Sequence, residues 1–152
     1  MKLKGVVRPV EASRGATRTL NAAESGQMFL LDDAAGITYT LPRPRVGLEY
    51  TFAVSVTVTS NSHKIITDAS TTFMTGSLLE GTANETPGAN PGPKFFTADP
   101  TASISVTMNG TTTGGVIGTF MTMTCISTTL WYVQGFAKGT NGSTIATAFA
   151  AT

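Results

Sequence analysis

Acid–base chemistry in this chain would depend on very few side chains. His63 is the only histidine, and it lies in residues 60–64, a polar stretch whose composition is typical of a hairpin turn. We therefore expect a solvated loop histidine rather than a general base. The sequence also has no Gly-x-Ser-x-Gly segment, which presents the nucleophile of the common serine hydrolases. A serine–histidine triad thus has little support.

The one adjacent pair of carboxylates is Asp32 and Asp33, which follows an apolar stretch. A glycosidase needs two carboxylates that face each other, whereas neighbouring residues on a strand point to opposite faces. We expect turn residues that bond their own backbone. A calcium site is the alternative, but calcium needs six or more oxygen ligands and the sequence shows no ladder of them. No metal and no cofactor are therefore predicted.

Two further candidates are also predicted to be structural. Cys125 is the single cysteine and lies in the apolar residues 120–126, so we expect a buried small hydrophobe rather than a reactive thiol. Gly114 and Gly115 precede a predicted strand, with no lysine directly after them and no helix following. They predict a turn rather than a phosphate-binding loop.

The composition favours strands and turns over helices. The 152 residues include 28 threonines, 11 serines and 16 glycines, and only 12% are charged. This length fits one domain with a real core. We predict an all-β fold, either a single β-sandwich of jelly-roll type or a β-barrel. The low charge predicts a protein that works in an assembly.

The clearest predicted strand covers residues 50–58, in which Tyr50, Phe52, Val54, Val56 and Val58 share one face. Its other face is polar and is expected to meet water or a partner. No fixed-period repeat is present, which argues against a solenoid or propeller. Further strands are predicted at residues 27–31, 37–41, 64–67, 104–108, 116–126 and 130–136.

Large aromatic side chains are concentrated in two of these strands. Trp131 and Tyr132 lie in the strand at residues 130–136, and Tyr50 and Phe52 begin the strand at residues 50–58. We predict that all four are core or interface anchors. A sugar-stacking platform at Trp131 is the alternative.

The first residues of the chain carry a surplus of positive charge. Within residues 1–18, five basic side chains oppose only Glu11, and no apolar periodicity accompanies them. We predict an extended basic arm over residues 1–19 that docks on an acidic neighbour. A frayed terminus is the alternative, and nucleic acid is disfavoured because no arginine-rich run or interleaved aromatics follow. The predicted arm residues are Lys2, Lys4, Arg8, Arg14 and Arg18.

The remaining organisation follows from turn-forming residues. The body is predicted at residues 20–138, with a long proline- and glycine-rich loop at 80–94 that either contacts a neighbouring subunit or is mobile. Residues 139–152 are predicted to be a tail or the last strand. The start of the chain lacks the continuous apolar stretch of a signal peptide or membrane span, so neither export nor membrane contact is expected.

Several segments together carry a resemblance to a known group of proteins. These are residues 20–27, the Thr-Leu-Pro strand end at 40–42, the Gly-x-x-Tyr-x-Phe strand start at 47–52 and the Trp-x-Val-x-Gly segment at 131–135. The pattern resembles small β-rich structural proteins of tailed bacteriophages, especially head decoration or cement proteins. Domains of tail fibres share part of it.

The resemblance implies a compact, often oligomeric β-domain without catalytic residues. Its location would be the outer surface of the virion capsid, after synthesis in the host cytoplasm, and its partner the major capsid protein. A homotrimer is the favoured self-assembly, with a dimer next. The alternatives are a tail-fibre or receptor-binding β-domain of a phage and a carbohydrate-binding module.

Overall fold

The fold is all-β, as the composition predicts. The computed structural model describes residues 8–82, 92–140 and 144–151. Besides one 3-10 helix at Ala22–Glu24, the elements within these ranges are β1 (Val10–Glu11), β2 (Thr17–Thr19), β3 (Met28–Leu31), β4 (Thr38–Thr40), β5 (Glu49–Val54), β6 (His63–Ile66), β7 (Phe73–Thr82), β8 (Lys94–Thr97), β9 (Ser105–Met108), β10 (Phe120–Cys125), β11 (Leu130–Gly139) and β12 (Phe149–Ala150).

The strands form two sheets that pack together as a β-sandwich. The seven-stranded sheet has the order β1-β3-β5-β10-β11-β7-β8, and the five-stranded sheet has the order β12-β9-β6-β4-β2. Both sheets are mixed: β1, β3 and β5 run parallel, whereas β5, β10 and β11 alternate in direction. This arrangement differs from the all-antiparallel strands of a jelly roll.

The first half of the chain winds like a short solenoid. Its strands alternate between the sheets, so that β1, β3 and β5 stack in parallel in one sheet and β2, β4 and β6 in the other. The turns differ in length, because Met28 lies 18 residues after its partner Val10, and Thr51 lies 23 residues after Met28. The absence of a fixed period in the sequence therefore did not exclude solenoid-like winding of this part of the chain.

An aromatic cluster fills the space between the sheets. Tyr39, Tyr50, Phe52 and Trp131 expose 0–1% of their surface, and Phe29 is equally buried. The ring centroids of Tyr50 and Trp131 lie 5.8 Å apart, and those of Tyr39 and Phe52 lie 5.6 Å apart. Aromatic pairs at such distances stabilise a core beyond the area they bury. This cluster joins the solenoid-like half to β11 of the second half.

One of the longest strands, β7, was not predicted from the sequence pattern. β7 turns Met74, Gly76, Leu78 and Glu80 toward the core side, so a glycine and a carboxylate interrupt its apolar alternation. Gly76 has a φ of +99°, and a Cβ atom on it would lie 2.1 Å from the carbonyl oxygen of Val133. The close approach of β7 to β11 thus requires glycine at this position.

Other predicted elements shift at their ends. The predicted strand 116–126 begins only at Phe120, because residues 116–119 form a turn in which the Thr119 N–H bonds the Val116 carbonyl at 3.0 Å. Glu80 and Lys94 belong to β7 and β8, so strands occupy both ends of the predicted loop at 80–94, whose residues 83–91 lie outside the described ranges. In the C-terminal segment, β12 pairs with β9, which favours the last-strand alternative.

A charged cluster and a buried carboxylate close the two lateral sides of the sandwich. On the β1–β2 side, Arg18 lies between Glu11 and Glu24. On the other side, Glu80 of β7 is 1% exposed and its Oε1 accepts the Ala148 N–H at 2.8 Å. This hydrogen bond ties the segment that leads into β12 to the seven-stranded sheet.

Candidate interaction surface

The outer face of the seven-stranded sheet carries one continuous row of apolar side chains. In five strands the row contains a residue that alternates with buried ones and therefore points outward, and in β8 it contains Phe95, whose neighbour Phe96 packs against the core. The register places these residues side by side across six neighbouring strands. We call this set the apolar row, and it consists of Leu30, Ala53, Phe120, Phe136, Leu79 and Phe95.

The apolar row is long and accessible. Neighbouring strands lie about 4.8 Å apart, so six strands give the row a length of about 24 Å. Phe95 exposes 74% of its surface and Phe120 exposes 42%, while the other members are half-buried. The turn before β10 adds Ile117, which is 54% exposed. Isolated apolar residues are common on protein surfaces, but a continuous patch of this kind is typical of interaction sites.

Polar side chains form the adjacent row on the same face. Thr51 of β5 pairs with Thr122 of β10, and their hydroxyls lie 3.3 Å apart. Gln134 and Ser77 continue this row on β11 and β7. The apolar row thus has a hydroxyl- and amide-rich border, which is the composition of a protein interface with an apolar centre and a polar rim.

The outer face of the five-stranded sheet has a different character. Thr17 and Thr19 of β2 pair with Thr38 and Thr40 of β4, and Thr107 of β9 is also outward and half-buried. Lys64 and Ile66 of β6 also point to this face, so Ile66 is a single apolar residue among hydroxyl and ammonium groups that are compatible with water. The two faces of the sandwich therefore differ in what they can bind.

The described part of the predicted basic arm belongs to the β-sandwich. β1 and β2 are edge strands of the two sheets, and Arg8 lies over the seven-stranded sheet. Its Nε donates to the Gly26 carbonyl at 2.8 Å, its guanidinium also bonds the Thr51 hydroxyl, and Glu49 lies 3.8 Å away. Arm-like separation over residues 8–19 is therefore wrong, because backbone pairing to β3 and β4 fixes this segment.

Partners within the chain also account for the charges of Arg14 and Arg18. Arg14 pairs with Glu11 at 2.7 Å on the surface. Arg18 bonds Glu24, and its guanidinium lies 5.2 Å from the centre of the Phe29 ring. Only Lys2 and Lys4 of the predicted arm residues lie outside the described ranges. The positive charge of residues 8–18 therefore does not require an acidic neighbour.

We expect Arg18 and Arg14 to differ strongly in their contribution to stability. The Arg18 side chain is 12% exposed and its partner Glu24 is 15% exposed, whereas Arg14 is 67% exposed. Arg18→Ala should lower the free energy of unfolding by about 2 kcal/mol, because it leaves a partly buried carboxylate unpaired and removes a cation–π contact. Arg14→Ala should cost less than about 0.5 kcal/mol. Urea unfolding measures both, and equal effects would show that the Arg18 cluster does not hold the β1–β2 edge.

The histidine is part of the core, so the prediction of a solvated loop residue is wrong. His63 begins β6 and is fully buried. Its Nδ1 accepts the Ile37 N–H at 3.2 Å, which leaves Nε2 to donate to the Val56 carbonyl at 3.2 Å. Burial lowers the pKa of His63. The polar neighbours in sequence suggested a turn, but strand pairing with β4 and β9 overrides them.

The other candidates for chemistry have structural partners. The Asp33 carboxylate accepts the Ala35 N–H at 2.9 Å, which confirms a turn residue, whereas Asp32 accepts the Ser13 N–H at 3.2 Å and so ties β3 to the segment before β2. Cys125 is 1% exposed, as predicted, and burial raises its pKa. Positive φ angles at both Gly114 and Gly115 confirm the predicted turn.

A depression of about 460 Å³ lies beside the turns that lead into β2, β4 and β6. Lys64 is the only ionisable residue that lines it, together with hydroxyl groups such as those of Thr17 and Thr38. Across residues 8–82, 92–140 and 144–151, no group of three or more His, Cys, Asp or Glu side chains is placed to hold a metal ion. The depression therefore lacks paired acid and base groups for catalysis.

The structure separates the four predicted anchors. Trp131, Tyr50 and Phe52 are core residues. Tyr132 is 40% exposed because it follows Trp131 on the strand and so points outward, which excludes the core role and leaves the interface role as a prediction. The sequence prediction missed the apolar row altogether, since its members come from six strands and only the register brings them together.

Comparison with protein-family models, with curated proteins and with solved structures finds no match for this chain. Among the described residues, no helix has the length and apolar character needed to cross a bilayer.

Proposed function

We propose that this chain is a non-enzymatic structural protein of a virion, and specifically a decoration protein of a bacteriophage head. In this role it binds the outer surface of the capsid and stabilises the contacts between major capsid proteins. The observation that carries the proposal is the apolar row on the outer face of the seven-stranded sheet. An uncharged row about 24 Å long is suited to another protein surface rather than to water.

The difference between the two faces supports a protein that lies between a partner and solvent. The apolar row includes the aromatic residues Phe95, Phe120 and Phe136, and aromatic side chains are enriched where proteins meet. The opposite face presents threonine rows. A protein with this asymmetry can cover a neighbouring subunit on one side and remain hydrated on the other.

Mass action explains how such a protein would strengthen a shell. A ligand that binds the assembled lattice but not the separate subunits stabilises the lattice by RT ln(1 + [L]/Kd), which is about 2.7 kcal/mol at a hundredfold excess over Kd. Many copies act on one particle, so weak individual contacts suffice. The resemblance of residues 20–58 and 120–140 to structural proteins of tailed phages, especially head decoration proteins, supports a role in the virion.

Binding to isolated heads tests the proposal. Purified protein should co-sediment with heads that lack it until the sites are saturated. Replacing Phe120 and Phe136 together with serine should reduce binding at least about tenfold, the equivalent of 1.4 kcal/mol, because both rings lie in the apolar row. The matched control is Ile66→Ser, an outward-facing apolar residue on the five-stranded sheet, which should bind like the wild type. A wild-type protein that does not bind heads at any concentration contradicts the proposal.

A tail-fibre or receptor-binding domain is the second candidate, since the same sequence motifs occur there. Antibody labelling of intact particles by electron microscopy separates the two, because labels would lie on the head in one case and on the fibres in the other. The carbohydrate-binding alternative depended on Trp131 as a stacking platform. Its full burial removes that platform.

A further inference from the structure

We propose that the apolar row binds a second copy of this chain, so that two copies pack with their seven-stranded sheets face to face about a two-fold axis. This inference rests on the proposed function to the extent that both assign a protein partner to the apolar row. It goes further because it places a second copy of the chain on that row. The dimer then meets the capsid through its remaining surface, and variants that lose the dimer bind heads more weakly because a single copy attaches at one site instead of two.

The outer face of the seven-stranded sheet has about the area that a specific interface needs. Its strands place about 21 residues outward, each on roughly 4.8 by 6.7 Å of sheet, which gives a face of about 700 Å². Specific interfaces begin at about 600 Å² for each partner. Val56 and Ile117, which are 36% and 54% exposed, lie beyond the end of β5 and before the start of β10, at one margin of the sheet.

The apolar row can pack on an identical row without bringing charges together. None of its six members is charged. On the same face, Arg8 and Glu49 lie 3.8 Å apart and neutralise each other, and Arg8 lies over the row of Thr51 and Thr122 rather than over the apolar row. Lys138, two residues after Phe136 on β11, points to this face on the other side of the apolar row. Two sheets that pack face to face lie about 10 Å apart, a distance that allows opposing phenylalanine side chains to interdigitate.

A two-fold arrangement fits the rest of the surface better than a ring. In a two-fold contact the same patch serves both copies, so both apolar rows are covered at once. A trimer with three-fold symmetry needs a second, different patch that complements the first. The outer face of the five-stranded sheet presents Thr17, Thr38 and Thr107, which do not complement an apolar row. The structure therefore favours a dimer over the trimer expected from the sequence.

The test is the molar mass of the free protein, measured by light scattering without heads between about 1 and 100 µM, a range around ordinary dimer affinities. The wild type should have twice the 15.8 kDa mass of the chain. The double variant Phe120→Ser, Phe136→Ser should have the mass of one chain, while Ile66→Ser should remain a dimer. Circular dichroism checks that each variant is folded.

A second variant tests the same contact in case the first variant does not fold. Phe95 is 74% exposed on the edge strand β8, so Phe95→Lys should leave the fold intact and place like charges on the two facing rows. This variant should also have the mass of one chain at about 100 µM, because it places a charge in the apolar contact. A wild type with the mass of one chain at every concentration overturns the inference. So does a trimer, or an oligomer that both variants leave intact.

These outcomes are distinguishable from those for the proposed function. A dimer that never binds heads leaves this inference standing and refutes head decoration. A wild-type monomer whose apolar-row variants lose head binding refutes this inference and supports head decoration, with the capsid itself on the apolar row.

Discussion

The Glu80→Gln variant is expected to gain stability over the wild type as the pH rises, by about 3 kcal/mol between pH 4 and pH 8. Glu80 is 1% exposed, and burial raises its pKa from 4.5 to about 7 although the Ala148 N–H bond to Oε1 favours the ionised form. Its Oε2 has no hydrogen-bond partner among the described residues. Glutamine keeps an acceptor for Ala148 and carries no charge at any pH.

The wild type loses stability as the pH rises because burial raises the pKa of Glu80 in the folded chain. Below about pH 4.5 the carboxyl is protonated in both the folded and the unfolded chain, and ionisation costs nothing. Between pH 4.5 and about 7 the unfolded chain loses this proton while the folded chain keeps it, so the wild type loses stability with rising pH. Above pH 7 the loss is complete and constant.

The surroundings of Glu80 provide no compensating charge in the described part of the chain. Lys94 lies opposite in the β7–β8 register but is exposed, and Lys138 lies beside Gly81 on β11. Neither lysine changes the pKa of Glu80. Burial raises this pKa, and the hydrogen bond from Ala148 partly offsets the rise.

Urea unfolding at several pH values measures the difference between the two proteins. His63 also contributes to the pH dependence, because its lowered pKa costs stability as the pH falls, but this contribution cancels in the comparison. Asp68→Asn removes an exposed carboxylate at another site and serves as the control for the loss of one carboxylate. A Glu80→Gln profile parallel to the wild type would mean that water reaches the carboxylate.

Trp131→Ala is expected to lower the free energy of unfolding by about 3–5 kcal/mol, which is a large part of the stability of an ordinary domain. Trp131 is completely buried and contacts the Tyr50 ring, so its removal leaves a cavity between β11 and β5 on the core side. The neighbouring Tyr132→Ala is the matched control. Because Tyr132 points outward, this substitution should cost less than about 1 kcal/mol.

Chemical unfolding followed by tryptophan-independent far-UV circular dichroism compares the two variants. Similar losses for Trp131→Ala and Tyr132→Ala would contradict the assignment of opposite sides of β11 to these two residues. If Tyr132→Ala has little effect on stability but weakens the dimer, Tyr132 belongs to the rim of the interface.

The sequence allowed prediction of the fold class because local signals were strong. Alternation in residues 50–54 correctly identified the core positions of Tyr50 and Phe52. β7 could not be predicted in the same way. Gly76 and Glu80 occupy two of its inward positions and neither has a large apolar side chain, so the strand shows no clear alternation of apolar and polar residues. Tertiary contacts explain both residues. Gly76 allows the close approach of β7 to β11, and Glu80 accepts a hydrogen bond from Ala148.

The candidate site was the least predictable part. Phe95 and Phe120 are 25 residues apart in the sequence and belong to one row only because of strand order and register. Conversely, the charge surplus of residues 1–18 suggested a partner outside the chain, but Arg18 finds Glu24 within the fold. Net charge over a segment does not show whether its counter-charges lie in the same molecule.

The change of strand direction in the middle of the chain has a consequence for growth by stacking. The first half of the chain forms two stacks of parallel strands, β1, β3 and β5 in one sheet and β2, β4 and β6 in the other. Further coils, from this chain or another, could be added to these stacks without limit. β10 and β9 instead cover the open edges of β5 and β6 in the opposite direction. Exposed edges of stacked coils lead to fibres, and terminal caps prevent them. A fragment that ends after residue 66 would therefore be expected to polymerise into fibrils, whereas the whole chain stops at a defined size.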